Sequence, residues 1–310
     1  MKLSTIIPLQ PLKPKLDYSS RVVLLGSCFT ENIGSKLDYY GFHTTVNPFG
    51  IVFNPVSLAL LLSRSLNDAE FTTSDVQGHF SYLAHSDLNA TSSDEVVSKL
   101  NNAANALTTS IKNASHVIIT LGTAWIYELK TTTSVIANCH KQAQDLFNKR
   151  LLDLKEITTA LDSLHAIIKK VNTKSTITYT LSPVRHLKDG FVENQRSKSR
   201  LHECIQQQID QQQGVYFPAY EIVMDELRDY RYYDRDMLHL NDLGIDFVWE
   251  RFRESAINSS TQHAMEAMEK YQQLKAHRPQ DKVKHDGQVQ KMKEYLLKTY
   301  PNITHNKDVI

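Results

Sequence analysis

Four short apolar runs constrain this chain most: RVVLLGSC (21–28), HVIITLGT (116–123), STITYTLSPV (175–184) and VYFPAY (215–220). Each is apolar and too short for a core helix, so each reads as a strand, the first of them buried in a parallel sheet. The stretches between them carry helical spacing. Thr30 is placed to cap a helix bearing Ile33, Leu37 and Tyr40, with Gly41 as its stop. Asn54-Pro55 opens a leucine-rich helix over 56–66, and Ser92-Ser93-Asp94-Glu95 has the form of a capping box ahead of Val97, Leu100, Ala104, Leu107 and Ile111. Leu154, Ile157, Leu161, Leu164, Ile168 and Val171 mark a long amphipathic helix, and a further helix ends at Gly214. Asn241 caps a last core helix with Leu243, Phe247, Val248 and Phe252. FHTTVN (42–47) supplies a fifth strand, 125–137 reads as a hairpin excursion, and Pro218 takes the end of the fourth run off the sheet. Strands alternating with helices predict a three-layer α/β/α fold around a five-strand parallel sheet, with ligands at the carboxyl ends of the strands.

The pattern changes near residue 256. Residues 1–255 read as the α/β domain, and 256–310, polar with helical segments at 261–276 and 286–299, as a helical extension. Lys+Arg total 35 against 34 Asp+Glu, so no global field attracts nucleic acid or anionic lipid. Three widely spaced cysteines, 28, 139 and 204, do not form a disulfide framework and fit a reducing compartment. MKLSTIIPLQPLKPK is too proline-broken for a signal peptide, and no run is long enough to span a bilayer, so a cytoplasmic location is expected.

Every segment with chemical potential falls at a strand's carboxyl end. Gly26-Ser27-Cys28 lies where a strand turns into a helix, so a nucleophile there has helix N–H groups beside it to lower a thiol pKa and hold an oxyanion. Asp236-x-x-His239 precedes the last core helix, at a spacing that lets the carboxylate fix the imidazole tautomer and leave the other nitrogen as a base. A plain turn and a solvent-facing loop are the alternatives; the order nucleophile, Asp, His raises the pair above either motif alone. Arg185, His186 and Lys188 are placed to hold a phosphate or carboxylate, or else to pair with Asp189 or Glu193. Asn138, Cys139 and His140 end the hairpin and are placed to fold over the site. Cys28, Cys139, His140, His186 and His239 are zinc-ligating types, but no C-x-x-C or H-x-x-x-H spacing pairs them, so no metal or organic cofactor is expected.

Gly26-Ser27-Cys28-Phe29, Leu121-Gly122-Thr123-Ala124-Trp125, Ala137-Asn138-Cys139-His140-Lys141, Ser182 through Phe191, Asn194-Gln195-Arg196-Ser197-Lys198 and Phe217-Pro218-Ala219-Tyr220-Glu221 through His239 resemble the bacterial GSCFA family, grouped with the SGNH (GDSL-type) hydrolases. Thr30 stands where the family name has Ala. The resemblance implies a flavodoxin-like SGNH fold and an ester hydrolase or acyltransferase acting on a small-molecule or carbohydrate acyl ester, such as an O-acetyl group. In register with Gly-Asp-Ser, Cys28 rather than Ser27 holds the nucleophile position. The block that normally supplies an oxyanion-hole Asn is Gly122-Thr123-Ala124-Trp125, which leaves Thr123 or a backbone N–H to substitute, with Gly50 as the second backbone donor. The rival reading is a catalytically silent binding protein that keeps the fold and uses 185–188 for an anionic or carbohydrate ligand.

Overall fold

In the computed structural model, which describes residues 5–303, the chain order is β1 (Arg21–Gly26), α1 (Cys28–Tyr39), β2 (His43–Val46), α2 (Pro55–Leu66), α3 (Ser93–Asn113), β3 (His116–Leu121), β4 (Trp125–Leu129), β5 (Val135–Ile136), β6 (Phe147–Leu151), α4 (Leu154–Val171), β7 (Thr176–Leu181), α5 (Phe191–Asp210), β8 (Val215–Tyr216), a short α6 (Ala219–Glu221), α7 (Asp242–Ala256), α8 (Gln262–Ala276) and α9 (Lys282–Thr299). Residues 1–4 and 304–310, the outer ends of the predicted domain and extension, lie outside the described residues.

β2-β1-β3-β7-β8 form one parallel sheet, in register from Val22 against His116 to Leu121 against Leu181. Alternation along the strands divides the core into two. Val23, Leu25, Val117, Ile119, Ile177 and Tyr179 pack toward α2, α3, α4 and α5. Val22, Leu24 and Ile118 pack toward α1, α7 and α8. The three-layer α/β/α fold follows, each fully buried Leu, Ile, Val or Phe contributing about 1.5–3 kcal/mol.

Local signals act largely as read. The Asn54 side chain accepts from Ser57 N–H with Pro55 opening α2, Ser92 accepts from Glu95 N–H, and Asn241 accepts from Gly244 N–H. Two details differ. α1 begins at Cys28, so Thr30 lies inside the helix, its hydroxyl turned toward the Leu25 carbonyl, and Ser27 is the N-cap without a side-chain cap bond. The excursion after β3 is a three-stranded antiparallel sheet, β5-β4-β6, rather than a hairpin. Its third strand, FNKRL, is a mixed-polarity edge with only Phe147 fully buried, which hid it from a periodicity argument. β8 ends before Pro218, as the proline requires.

Among the described residues no helix is long and apolar enough to cross a membrane. α8 and α9 pack on the main body: Met265, Met268, Tyr271, Leu296 and Ile303 are buried in the same cluster as Tyr40, Trp249 and Phe252.

Candidate active site

Gly26 makes the turn that sets the site. Its φ is +133°, and a Cβ there would lie 2.0 Å from the Thr120 carbonyl oxygen, so only glycine lets β1 run this close to β3 and then turn. Its N–H donates to Asn47 Oδ1 at 2.8 Å and its carbonyl accepts from Val52 N–H at 3.2 Å, which ties the turn to the β2 loop. Ser27 N–H donates to Thr120 O, and its hydroxyl is buried with no hydrogen-bond partner among the described residues. Cys28 is the first residue of α1 and half-buried, so its N–H belongs to the helix's unpaired first turn.

A cavity of about 550 Å³ opens at these strand ends. Ser27, Cys28, Thr123, Asn138, Arg185, His186 and His239 all line it, together with an aromatic and aliphatic wall that includes Phe53, Trp125, Tyr127, Ile136 and Val184. Residues up to 212 positions apart in sequence thus meet at one opening, and the parallel sheet is what brings them together.

The Asp236-His239 pair is built as its spacing suggests. His239 Nδ1 lies 2.6 Å from Asp236 Oδ2, while Asp236 Oδ1 accepts from the Leu238 and His239 N–H groups at 2.9 Å each. Met237 takes the left-handed conformation (φ 59°) that closes this turn. The His239 contact, then the two backbone N–H groups, hold the Asp236 carboxyl down at about 2. With Nδ1 directed at the carboxylate, Nε2 is left to exchange a proton. Both side chains are about half exposed, and no hydrogen bond joins His239 to Cys28 or Ser27 among the described residues.

Burial pushes the Cys28 thiol up from its ordinary value, outweighing the Phe29 and Cys28 N–H groups and the Lys198 charge that favour the thiolate. The helix terminus alone therefore does not make a standing thiolate, contrary to the sequence expectation, because desolvation is the larger effect.

Two predicted oxyanion donors are already spent. Gly50 N–H donates to Asn47 O at 2.7 Å and Gly122 N–H to Phe53 O at 2.8 Å, and neither residue lines the cavity. Gly122 instead gives close packing: a Cβ there would press on Phe53 and His186. Thr123 is better placed. Its Oγ1 accepts from Trp125 N–H and sits 2.9 Å from Ser197 Oγ, which accepts from Ala124 N–H. One hydroxyl proton joins the two oxygens, so the pair has a second left to donate.

His140 lies behind the wall. Its ring stacks on Phe80, and Nε2 faces the Ser81 and Ala84 carbonyls at 2.8 and 3.1 Å, joining the β4–β6 excursion to the 79–85 loop. Asn138 keeps the cavity position and accepts from His140 N–H. His186 lies tilted against Phe53, and its ring is pushed down to about 4 by burial, then by Lys198 and His239, so it is neutral at physiological pH. Asp189 pairs with Lys149 rather than with Lys188, and among the described residues neither Arg185 nor Lys188 has a carboxylate partner. Two unneutralised cations therefore flank the opening. No group of three or more His, Cys, Asp and Glu side chains converges as a metal site among the described residues.

Lys198, which the sequence reading left without a role of its own, is the most unusual residue nearby. It is 1% exposed, and its Nζ donates to the Gly122 and Ser182 carbonyls at 2.7 and 2.6 Å. Asn194, Ser197, Lys198 and Leu201 fall at i, i+3, i+4 and i+7, one face of α5, and all four are buried. That spacing was the available signal.

No curated protein is significantly similar to this chain. The family model described as GSCFA family matches residues 21–252, a span that contains Cys28, Thr123, Lys198, Asp236 and His239. The chain belongs to the GSCFA family.

Proposed function

We propose that this chain is an SGNH-like ester hydrolase or acyltransferase, with Cys28 as nucleophile, His239 as general base and acid, and Asp236 orienting His239. The observation that carries the reading is the opening onto one cavity of Cys28, on a helix N-terminus, and of His239, whose ring is held by Asp236. Cys28 Sγ attacks the acyl carbonyl carbon while its proton passes to His239 Nε2. The oxyanion is met by Cys28 N–H at the start of α1 and by the spare hydroxyl proton of the Thr123–Ser197 pair. Collapse breaks the C–O bond, and the leaving alkoxide takes the proton from His239. Water, or an acceptor alcohol or amine, then resolves the thioester and returns the thiol. The wall of Phe53, Trp125 and Tyr127 suits the acyl portion, and the cations Arg185 and Lys188 suit an anionic group on the rest of the molecule.

A second reading, a binding protein for a small anionic or carbohydrate ligand, draws support from the missing contact between His239 and Cys28. Turnover separates the two. Short acyl esters and acyl thioesters are assayed with wild type, Cys28→Ala, Ser27→Ala and His239→Ala. Catalysis predicts a fall by a factor on the order of 10³ or more for Cys28→Ala and His239→Ala, with Ser27→Ala retaining most activity. Equal rates across all four would leave only the binding reading.

A further inference from the structure

Lys198 is an expensive residue to bury, and its hydrogen bonds do not explain why it is a lysine. Its head lies beneath the carboxyl ends of β3 and β7, bonded to the carbonyls of Gly122 and Ser182, the residues that follow those strands. Two N–H donors satisfy both carbonyls, so a neutral amine is fully used there and an ammonium keeps one N–H over. No carboxylate pairs with it among the described residues: the charged groups acting on it are Arg185, a cation, and the Cys28 thiol. The Cys28 thiolate is then the anion available to it, and β1 ends beside β3, which places Cys28 at the same end of the sheet.

We propose that Lys198 is a positioning residue that sets the charge of the nucleophile, a buried cation beneath the strand ends against which the Cys28 thiolate forms. The inference takes Cys28 as the reactive thiol but not acyl transfer as the reaction. It is read by alkylation without turnover, so its failure and the failure of the esterase reading are separate results. Burial brings the Lys198 ammonium down to about 7, so its help to the thiolate is full below that pH and fades above it. The other charged or proton-exchanging groups are Glu31 on its own helix and, around the same cavity, His85 on the 79–85 loop, Cys139 after β5, Arg185, His186, Lys188 and Asp189 on the loop after β7, and His239 on the loop before α7. His186 stays neutral through this range.

The experiment is the pH dependence of iodoacetamide labelling at Cys28, read by peptide mass spectrometry so that Cys139 and Cys204 are followed separately. In the wild type the rate climbs about tenfold per pH unit below about 7, then flattens over roughly the next unit as Lys198 loses its proton. Lys198→Gln keeps donors for the two carbonyls without the charge, and should label about tenfold more slowly at pH 6 but only about twofold more slowly at pH 8, along an unbroken slope. Lys198→Arg should keep the fast rate and lose the flattening. His239→Ala should keep the flattening, which excludes that imidazole as its source. A wild-type curve that runs straight through pH 7 overturns the proposal without recourse to any variant, and so does a Lys198→Gln curve that overlies the wild type.

Discussion

At Gly26 the site depends on the absence of a side chain. Gly26→Ala puts a methyl into the Thr120 carbonyl at a left-handed φ, and should lower stability by about 3 kcal/mol, read as a fall in the urea midpoint. Two residues on, Cys28 gains backbone donors but loses solvent, and the second effect is larger. The thiol therefore needs a base on demand, the role assigned to His239. Asp236 is ionised at any pH above about 2, so His239 keeps its orientation across the working range and loses it only in strong acid. Asp236→Asn preserves the turn through its oxygen but favours the wrong imidazole tautomer. It should cut turnover by a factor on the order of 10⁴ with little change in KM, measured by steady-state kinetics on whichever ester the wild type accepts. The four residues of the proposed triad and its neighbour, Ser27, Cys28, Asp236 and His239, were all legible as residues. Gly50 N–H is closed locally, in a turn onto the Asn47 carbonyl three residues earlier; what no spacing shows is that Gly122 N–H is consumed by Phe53, a partner from a distant part of the chain.

α5 shows what a single element contributes. Its inward face presents Asn194 to His186 N–H, Ser197 to Ala124 N–H and Thr123, and Lys198 to two strand-end carbonyls, so one helix braces the two loops that follow β3 and β7. Ser197→Ala strands the Ala124 N–H and frees the Thr123 hydroxyl, and should cost about 1–3 kcal/mol in thermal or urea unfolding while lowering kcat more than it raises KM. Lys198 adds a pH signature to stability. Its folded-state value is far below that of an exposed lysine, so between about 7 and the ordinary lysine range the unfolded chain binds the extra proton. Relative to Lys198→Met, the wild type should gain stability as pH rises through that window and be at its weakest below it, checked by urea titrations at several pH values. The helical face of α5 was readable from Asn194, Ser197, Lys198 and Leu201. A lysine on it reads by default as a solvated charge, and only the packed sheet above shows otherwise.

Across the whole molecule, the last helices share the core of the first. Met268 Cε and Ile303 occupy the space a side chain at Gly41 would need, and Tyr40 stacks on Trp249 beside them. We propose that the described part of the extension, 256–303, unfolds together with the α/β domain. Truncation after Ala256 would bare Tyr40, Trp249 and Phe252, and calorimetry of the intact chain should show one transition; two separate transitions would make the extension an independent unit. By itself the sequence determined the order of strands and helices, the parallel sheet and the strand ends where chemistry gathers, because hydrophobic period, caps and glycine stops are local properties. Only the tertiary structure decided which N–H groups remain free, that Arg185 and Lys188 stand unneutralised, and that Lys198 is buried beneath the strand ends near the nucleophile. Those outcomes depend on desolvation and on partners from distant segments, and both exist only once the layers have closed.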